Sequence, residues 1–353
     1  MKAFTETELI AHGRKALAES LDGVPFVCLD SAASDPQPAE ADMEIRIRLP
    51  ERERTLLLAL RSSGQPRNVR IAVAQINRWL LQRPEAYGVF VAPYLSPAAV
   101  DICRNERIGC LDFAGNVLLT FDHVYIERTG KLNPFAVKRD LQTLYAPRAE
   151  RVLRTLLNSP RTEWQVQRLA KEAKVSLGLA SNVKKLLDQR EWLRKATSGS
   201  GFTLVAPEEL LQEWVENWRP KRNQIQAFYS LKSVSDNEYG LGQVCRQQGA
   251  SCALTGLSGA ARYAPYVRYQ KMSAYVVGDV RGIVAHLGWK PVSSGANIHL
   301  ITPYDEGVFY ASEERGGVQT VSSVQVYLDM QQEKGRGEEA AAYLLEEVIR
   351  PTW

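Results

Sequence analysis

The sequence predicts an α/β + α chain in three parts: an N-terminal mixed sheet with helices, a central helical unit ending in a β-hairpin, and a C-terminal α+β domain. Three observations predict it. Strand-like and helix-like apolar periods alternate over roughly the first 130 residues. Residues 162–205 read as two short helices, a tight turn between them, and two short strands. Positive charge gathers in the same place: residues 146–205 hold 12 Lys or Arg against 5 Asp or Glu, a net +7, while the whole chain carries only +4.

The expected boundaries are 1–132, 146–206 and 221–353, in keeping with two or three domains for 353 residues. Hydrophobic content of 45% and aromatic content of 8% suit a packed core and exclude a disordered chain. No stretch nears the ~20 apolar residues of a membrane span. The first residues lack the apolar run of a signal peptide. The five cysteines (Cys28, Cys103, Cys110, Cys245, Cys252) are odd in number and never spaced CxxC. Together these predict a cytoplasmic protein with reduced thiols. The four histidines (His12, His123, His286, His299) match no zinc-ligand spacing, so no metal and no cofactor are expected.

In the N-terminal part, residues 1–22 read as a helix, and the Pro-rich stretch 30–41 reads as a loop. Strands are expected at 43–48, 55–60, 87–92, 108–111, 117–121 and 124–127, with helices at 68–83 and 96–105. Residues 133–146 bridge onward, and Pro147 suits the start of a helix burying Val152, Leu153, Leu156 and Leu157. Beyond Pro207 comes a helix carrying Trp214 and Trp218. The last part is expected to hold strands at 251–254, 273–277, 299–302, 308–310 and 324–327, closed by a helix over 337–349.

The central unit has the pattern of a winged helix-turn-helix. Thr162 with Gln165 makes a capping box, and Val166, Leu169, Ala170 and Ala173 share a helical face. Lys174-Val175 turns the chain, and Ser176 caps a second helix with an apolar stripe of Leu179, Val183, Leu186 and Leu187. Residues 192–195 and 202–205 form the wing, with Ser198-Gly199-Ser200-Gly201 at its tip. A helix of this kind fits the DNA major groove. Its outward face would carry Ser176, Leu177, Gly178, Ser181, Asn182 and Lys185, with the Asn182 amide suited to a bidentate pair with adenine. Lys184 and Arg190 are the expected phosphate contacts, Arg194 and Lys195 before the wing tip are expected to reach backbone or minor groove, and Thr162 and Gln165 stand at a helix start that also attracts phosphate. Gly often precedes a wing; here Glu191 does. A left-handed backbone costs more for Glu, so the turn is expected to take another shape.

The order of elements in the N-terminal part resembles a PD-(D/E)XK nuclease-like fold. That fold sets an Asp on one strand, a D/E-x-K triplet on the next, and a Gln or Glu on the helix behind. Here Asp42 and Gln75 match, but the triplet is Ala59-Leu60-Arg61. Ala binds no metal, and Arg stays charged. The resemblance therefore implies a degenerate, non-catalytic domain, with Arg61, Arg67, Arg70 and Arg78 still able to meet phosphate.

In the C-terminal part, residues 253–261 (ALTGLSGAA) and 324–330 (VQVYLDM), followed by 335–341 (GRGEEAA), resemble the AbiEi-type antitoxins of type IV toxin–antitoxin systems. The resemblance covers most of the chain, although the winged helix here stands centrally. It implies a bacterial regulator, not an enzyme. Such a regulator binds inverted repeats of its own promoter and counters a nucleotidyltransferase-like toxin. A homodimer is expected because one small winged domain gives little affinity by itself. The chain is not itself a transferase: Gly256-Leu257-Ser258 loosely matches the Gly-Ser turn of those enzymes, but residues 273–279 lack the acid pair that two-metal chemistry needs. The competing readings are a metal-dependent nuclease targeted by its winged helix and a protein–protein adaptor.

Overall fold

The structure is a computed structural model that describes residues 4–24, 26–29, 41–131, 133–134, 144–196, 199–265, 268–331 and 336–353. Residues 30–40, much of the 133–146 bridge and Ser198 at the wing tip lie outside them. The chain forms two compact units, Met1–Asp140 with Leu186–Glu191, and Leu141–Lys185 with Trp192–Trp353.

In the first unit, helix α1 (Glu6–Leu21) opens on a capping box. Glu8 N donates to Thr5 Oγ1 at 3.3 Å, and Thr5 N donates back to the Glu8 carboxylate at 2.9 Å. Strands β1 (Cys28–Leu29), β2 (Met43–Arg48), β3 (Glu53–Leu60), β4 (Tyr87–Ala92), β5 (Gly109–Asp112), β6 (Val117–Phe121) and β7 (Val124–Arg128) build one seven-stranded sheet in chain order. Helices α2 (Pro66–Gln82) and α3 (Pro97–Asn105) are the crossovers that let β3, β4 and β5 run parallel. Each begins with proline, whose missing N–H costs nothing there.

Alternation divides the central strands between two cores. Leu56, Leu58, Leu60, Val89 and Val91 pack with Leu9 and Leu17 of α1. Leu57, Ala59, Phe90 and Ala92 pack with Val69 and Ile76 of α2 and Val100 of α3. Strands buried on both faces read as continuous apolar runs, as these do. Gly88 permits the close approach of α2, since a Cβ there would lie 2.1 Å from Ile76 Cγ2.

The second unit opens with α4 (Pro147–Asn158), α5 (Val166–Glu172), α6 (Leu177–Gln189, whose last turn belongs to the first unit), the antiparallel hairpin β8 (Leu193–Lys195) and β9 (Phe202–Leu204), and α7 (Pro207–Asn217). A second seven-stranded sheet follows. Its strands are β10 (Gln224–Tyr229), β11 (Ser251–Leu254), β12 (Met272–Val277), β13 (Lys290–Pro291), β14 (Ile298–Thr302), β15 (Glu313–Arg315) and β16 (Val318–Thr320). They lie in the order β13-β10-β14-β12-β11-β16-β15. On one face, α8 (Val234–Gln248) and α10 (Val280–Leu287) bury Leu241, Val244, Cys245 and Ile283 against Leu254, Ala274, Val276 and Leu300. On the other, α11 (Ser323–Met330) meets Tyr275 of β12, and α9 (Gly256–Tyr263) packs on α11 and α12 (Arg336–Leu344).

Two expected strands are not strands. Residues 324–327 lie inside α11, which Ser322 caps by accepting from Gln325 N at 3.3 Å. Val324 to Leu328 are all buried, so no polar face exposes the helical period. Residues 308–310 fall at a 3-10 turn, Glu306–Phe309, where Asp305 accepts from Gly307 N at 2.7 Å. The closing helix is α-helical to Leu344 and ends in a π-helical turn, Leu345–Ile349. Strands β1, β10, β13, β15 and β16 were not expected; all but β10 are two or three residues long, too short to display a period.

Candidate nucleic-acid interface

The hairpin sets where the first short helix begins. Trp164 N donates to Phe202 O, and Phe202 N donates to Trp164 O, both at 2.8 Å. Trp164 is thus held extended, a third rung beside β9, and the chain cannot turn helical before it. This corrects the expected capping box. Thr162 stands in a turn ahead of Trp164, half-buried, and Gln165 occupies the N-cap position of α5 with no side-chain cap hydrogen bond.

Lys174, at φ +52°, turns the chain from α5 toward α6. Ser176 Oγ accepts from Leu179 N at 3.2 Å, so its hydroxyl is used as the cap of α6. Ala180 and Val183 are buried, while Leu177, Gly178, Ser181, Asn182 and Lys185 are exposed. Those five positions share one helical face. Leu177 is 51% exposed, which places a large apolar side chain at the N-terminal end of that face. A Cβ on Gly178 would meet nothing within 4 Å, so relief of crowding does not explain the glycine.

The expected phosphate contacts divide. Arg194 and Lys195 are exposed on β8. Lys184 is half-buried, its Nζ 5.4 Å from the centre of the Phe202 ring, which turns it onto the wing. Arg190 is half-buried and donates to Leu186 O at 3.0 Å. Lys171 and Lys174, exposed on either side of the turn, were not singled out by spacing; local charge was their only signal. Glu191 has φ +61°, so the turn before the wing is left-handed after all.

A buried polar cluster joins α4 to the rest of its unit. The Arg154 guanidinium lies 5.0 Å from the Trp214 ring and 5.6 Å from the Trp218 ring, and its Nε donates to Gln325 Oε1 at 2.8 Å. Glu150, one turn earlier, is fully buried, 3.7 Å from Arg154 Nη1, and accepts from the Tyr304 hydroxyl. Burial raises the Glu150 carboxyl above its ordinary value, and Arg154 opposes that rise. Arg151 and Asp305 form a bidentate pair at 2.8 and 3.0 Å. Asp329 keeps some exposure as a residue, but its carboxylate accepts from Thr255 (2.6 Å), Gln325 (3.0 Å) and Tyr275 (3.0 Å). Enclosure pushes it up to about 6 despite those bonds.

In the first unit, the residues read against a nuclease site do come together. Asp42 Oδ2 accepts from Leu60 N at 2.8 Å and from Arg61 Nη1, and Arg61 Nη2 donates to Gln75 Oε1. A fixed cation thus faces the Asp42 carboxylate. Glu44 is taken by Arg83 at 2.7 Å. Arg67, Arg70 and Arg78 are exposed on α2. Among the described residues, no group of three or more His, Cys, Asp or Glu could hold a metal ion, and no helix is long and apolar enough to cross a membrane. In the second unit, Gly256 (φ +57°) forms the turn from β11 into α9, and Asp279 caps α10 by accepting from Gly282 N at 3.1 Å.

Residues 203–350 match the model of a family described as a transcriptional regulator, the AbiEi antitoxin of a type IV toxin–antitoxin (TA) system. The matched stretch runs from β9 through the second sheet to the last helical turns. No curated protein and no solved structure shows significant similarity to the chain.

Proposed function

We propose that the chain is a sequence-specific DNA-binding transcriptional regulator of the antitoxin type, which represses its own promoter. The observation that carries this reading is the exposed face of α6. Ser181, Asn182 and Lys185 stand outward on a helix whose opposite side is buried, beside a hairpin bearing Arg194 and Lys195. In this reading residues 146–206 act as a winged helix-turn-helix. Asn182 reads a base edge, and Lys185, Arg194 and Lys195 neutralise phosphates. Residues 221–353, most of them inside the antitoxin match, supply the contact to a nucleotidyltransferase-like toxin. Residues 1–132 serve as a degenerate PD-(D/E)XK-like scaffold. Binding as a homodimer to repeated half-sites supplies the affinity that one small domain lacks.

Gel-shift titration on the chain's own upstream region, against random duplex at matched salt, tests the reading. Preferential, steeply salt-dependent retardation is expected. Binding that ignores salt would favour a protein–protein adaptor. Incubation with plasmid and Mg²⁺ or Mn²⁺ should leave the DNA intact, because Arg61 holds Asp42. Cleavage that disappears in Asp42→Ala would turn the assignment to a nuclease.

A further inference from the structure

The five cysteines look scattered in sequence, yet the fold brings two of them to one place. Cys245 lies in the last turns of α8, and Cys252 lies in β11, across a left-handed cap at Gly249. Both line a cavity of about 240 Å³ together with Gly242, Arg246, Ser251 and Gln319. Cys245 is 1% exposed, whereas Cys252 is only partly buried. The Cys252 thiol donates to Leu241 O at 3.9 Å. The neighbouring Cys245 lowers the Cys252 thiol from its ordinary value, with Arg246 helping, and Cys245 itself is raised. One sulfur is therefore reachable and the more acidic of the two. The other is protected and lines the same cavity.

We propose that Cys245 and Cys252 are an oxidisable dithiol site, which takes a small hydroperoxide through the cavity and closes to an intramolecular disulfide. The Cys252 thiolate attacks the nearer peroxide oxygen. The S–O bond forms, the O–O bond breaks, and hydroxide leaves and is protonated to water. The Cys245 sulfur then attacks the Cys252 sulfenic acid. The S–S bond forms, the S–O bond breaks, and a second water leaves with the Cys245 proton. Two thiols are oxidised and one hydrogen peroxide is reduced to two waters. Cys103 and Cys110 are a second pair of neighbouring thiols, both buried in the first unit's core. They serve as an internal control. The inference is independent of the DNA-binding reading.

The test uses the full chain with Cys28→Ser, which removes the exposed thiol, treated with hydrogen peroxide while folded. Free thiols are counted after denaturation, and unreduced peptides are mapped by mass spectrometry. The expected result is the loss of two thiols and a Cys245–Cys252 linked peptide. Adding Cys245→Ser should replace the linkage by a sulfenic acid on Cys252, trapped by dimedone. Three results overturn the proposal: an unchanged thiol count, Cys252 driven to sulfinic or sulfonic acid with Cys245 free, or a Cys103–Cys110 linkage in its place.

Discussion

Lys184 and Lys185 are sequence neighbours with opposite surroundings. Lys184 leans over the Phe202 ring, while Lys185 faces out beside Ser181 and Asn182. Lys185→Ala should weaken binding to all sequences alike and reduce the salt slope by about 1, and Arg194→Ala should act in the same way. Lys184→Ala should leave the slope unchanged and lower stability by about 0.5–1 kcal/mol through the lost ring contact. Salt titrations and thermal melts of the single variants separate the two; equal slope losses for Lys184 and Lys185 would contradict the division. Deeper in the unit, Arg154→Ala leaves the buried Glu150 carboxylate with the Tyr304 hydroxyl and Arg222, 4.0 Å away, as partners, so a loss of about 3 kcal/mol in denaturant unfolding is expected. A loss below about 1 kcal/mol would show that Glu150 does not depend on it. The exposed face of α6 was legible because an apolar stripe with period 3.6 defines its opposite. The turning-in of Lys184 was not, since Phe202 reaches it from a different element.

At the scale of elements, legibility followed how burial is distributed. The parallel strands of the first sheet were read nearly to the residue because runs such as Tyr87–Ala92 are buried on both faces. The same logic misread α11, where Val324-Gln325-Val326-Tyr327 is β-branched, aromatic and buried all round; length and capping distinguish such a helix, not period. The false capping box at Thr162 has another cause. Pairing between Trp164 and Phe202, 38 positions apart, outweighs a local hydrogen-bond preference. The junction of α11 with β11 and β12 carries a pH signature. Asp329 sits at about 6, above the ordinary ~3.9, so the folded chain holds that proton more tightly than the unfolded chain. Its contribution is fully present below pH ~4 and is lost as pH rises through about 6, on the order of 3 kcal/mol. Denaturant unfolding between pH 4 and pH 7 should show that decline, and Asp329→Asn should reduce it, leaving the slope due to Glu150, whose carboxyl is also raised. Identical slopes in both proteins would contradict the assignment.

For the whole molecule, the net positive charge is concentrated in residues 146–205 (+7), while the rest of the chain is slightly acidic in sum. That favours local phosphate contact over diffuse adhesion to DNA. The Asp42–Arg61–Gln75 cluster is paired internally, which suits the proposed scaffold role. Residues 203–350 match the antitoxin family, which suits the proposed second contact, to a toxin. All of this depends on α6 as the element that reads sequence. The most direct measurement is the ratio of upstream-region to random-duplex affinity, at one salt concentration, for the wild type and Asn182→Ala. The account predicts that the variant loses about 1–3 kcal/mol of discrimination at one base position, roughly a 5- to 150-fold fall in the ratio, while its salt slope stays unchanged. A variant that distinguishes the two DNAs as well as the wild type does would contradict it.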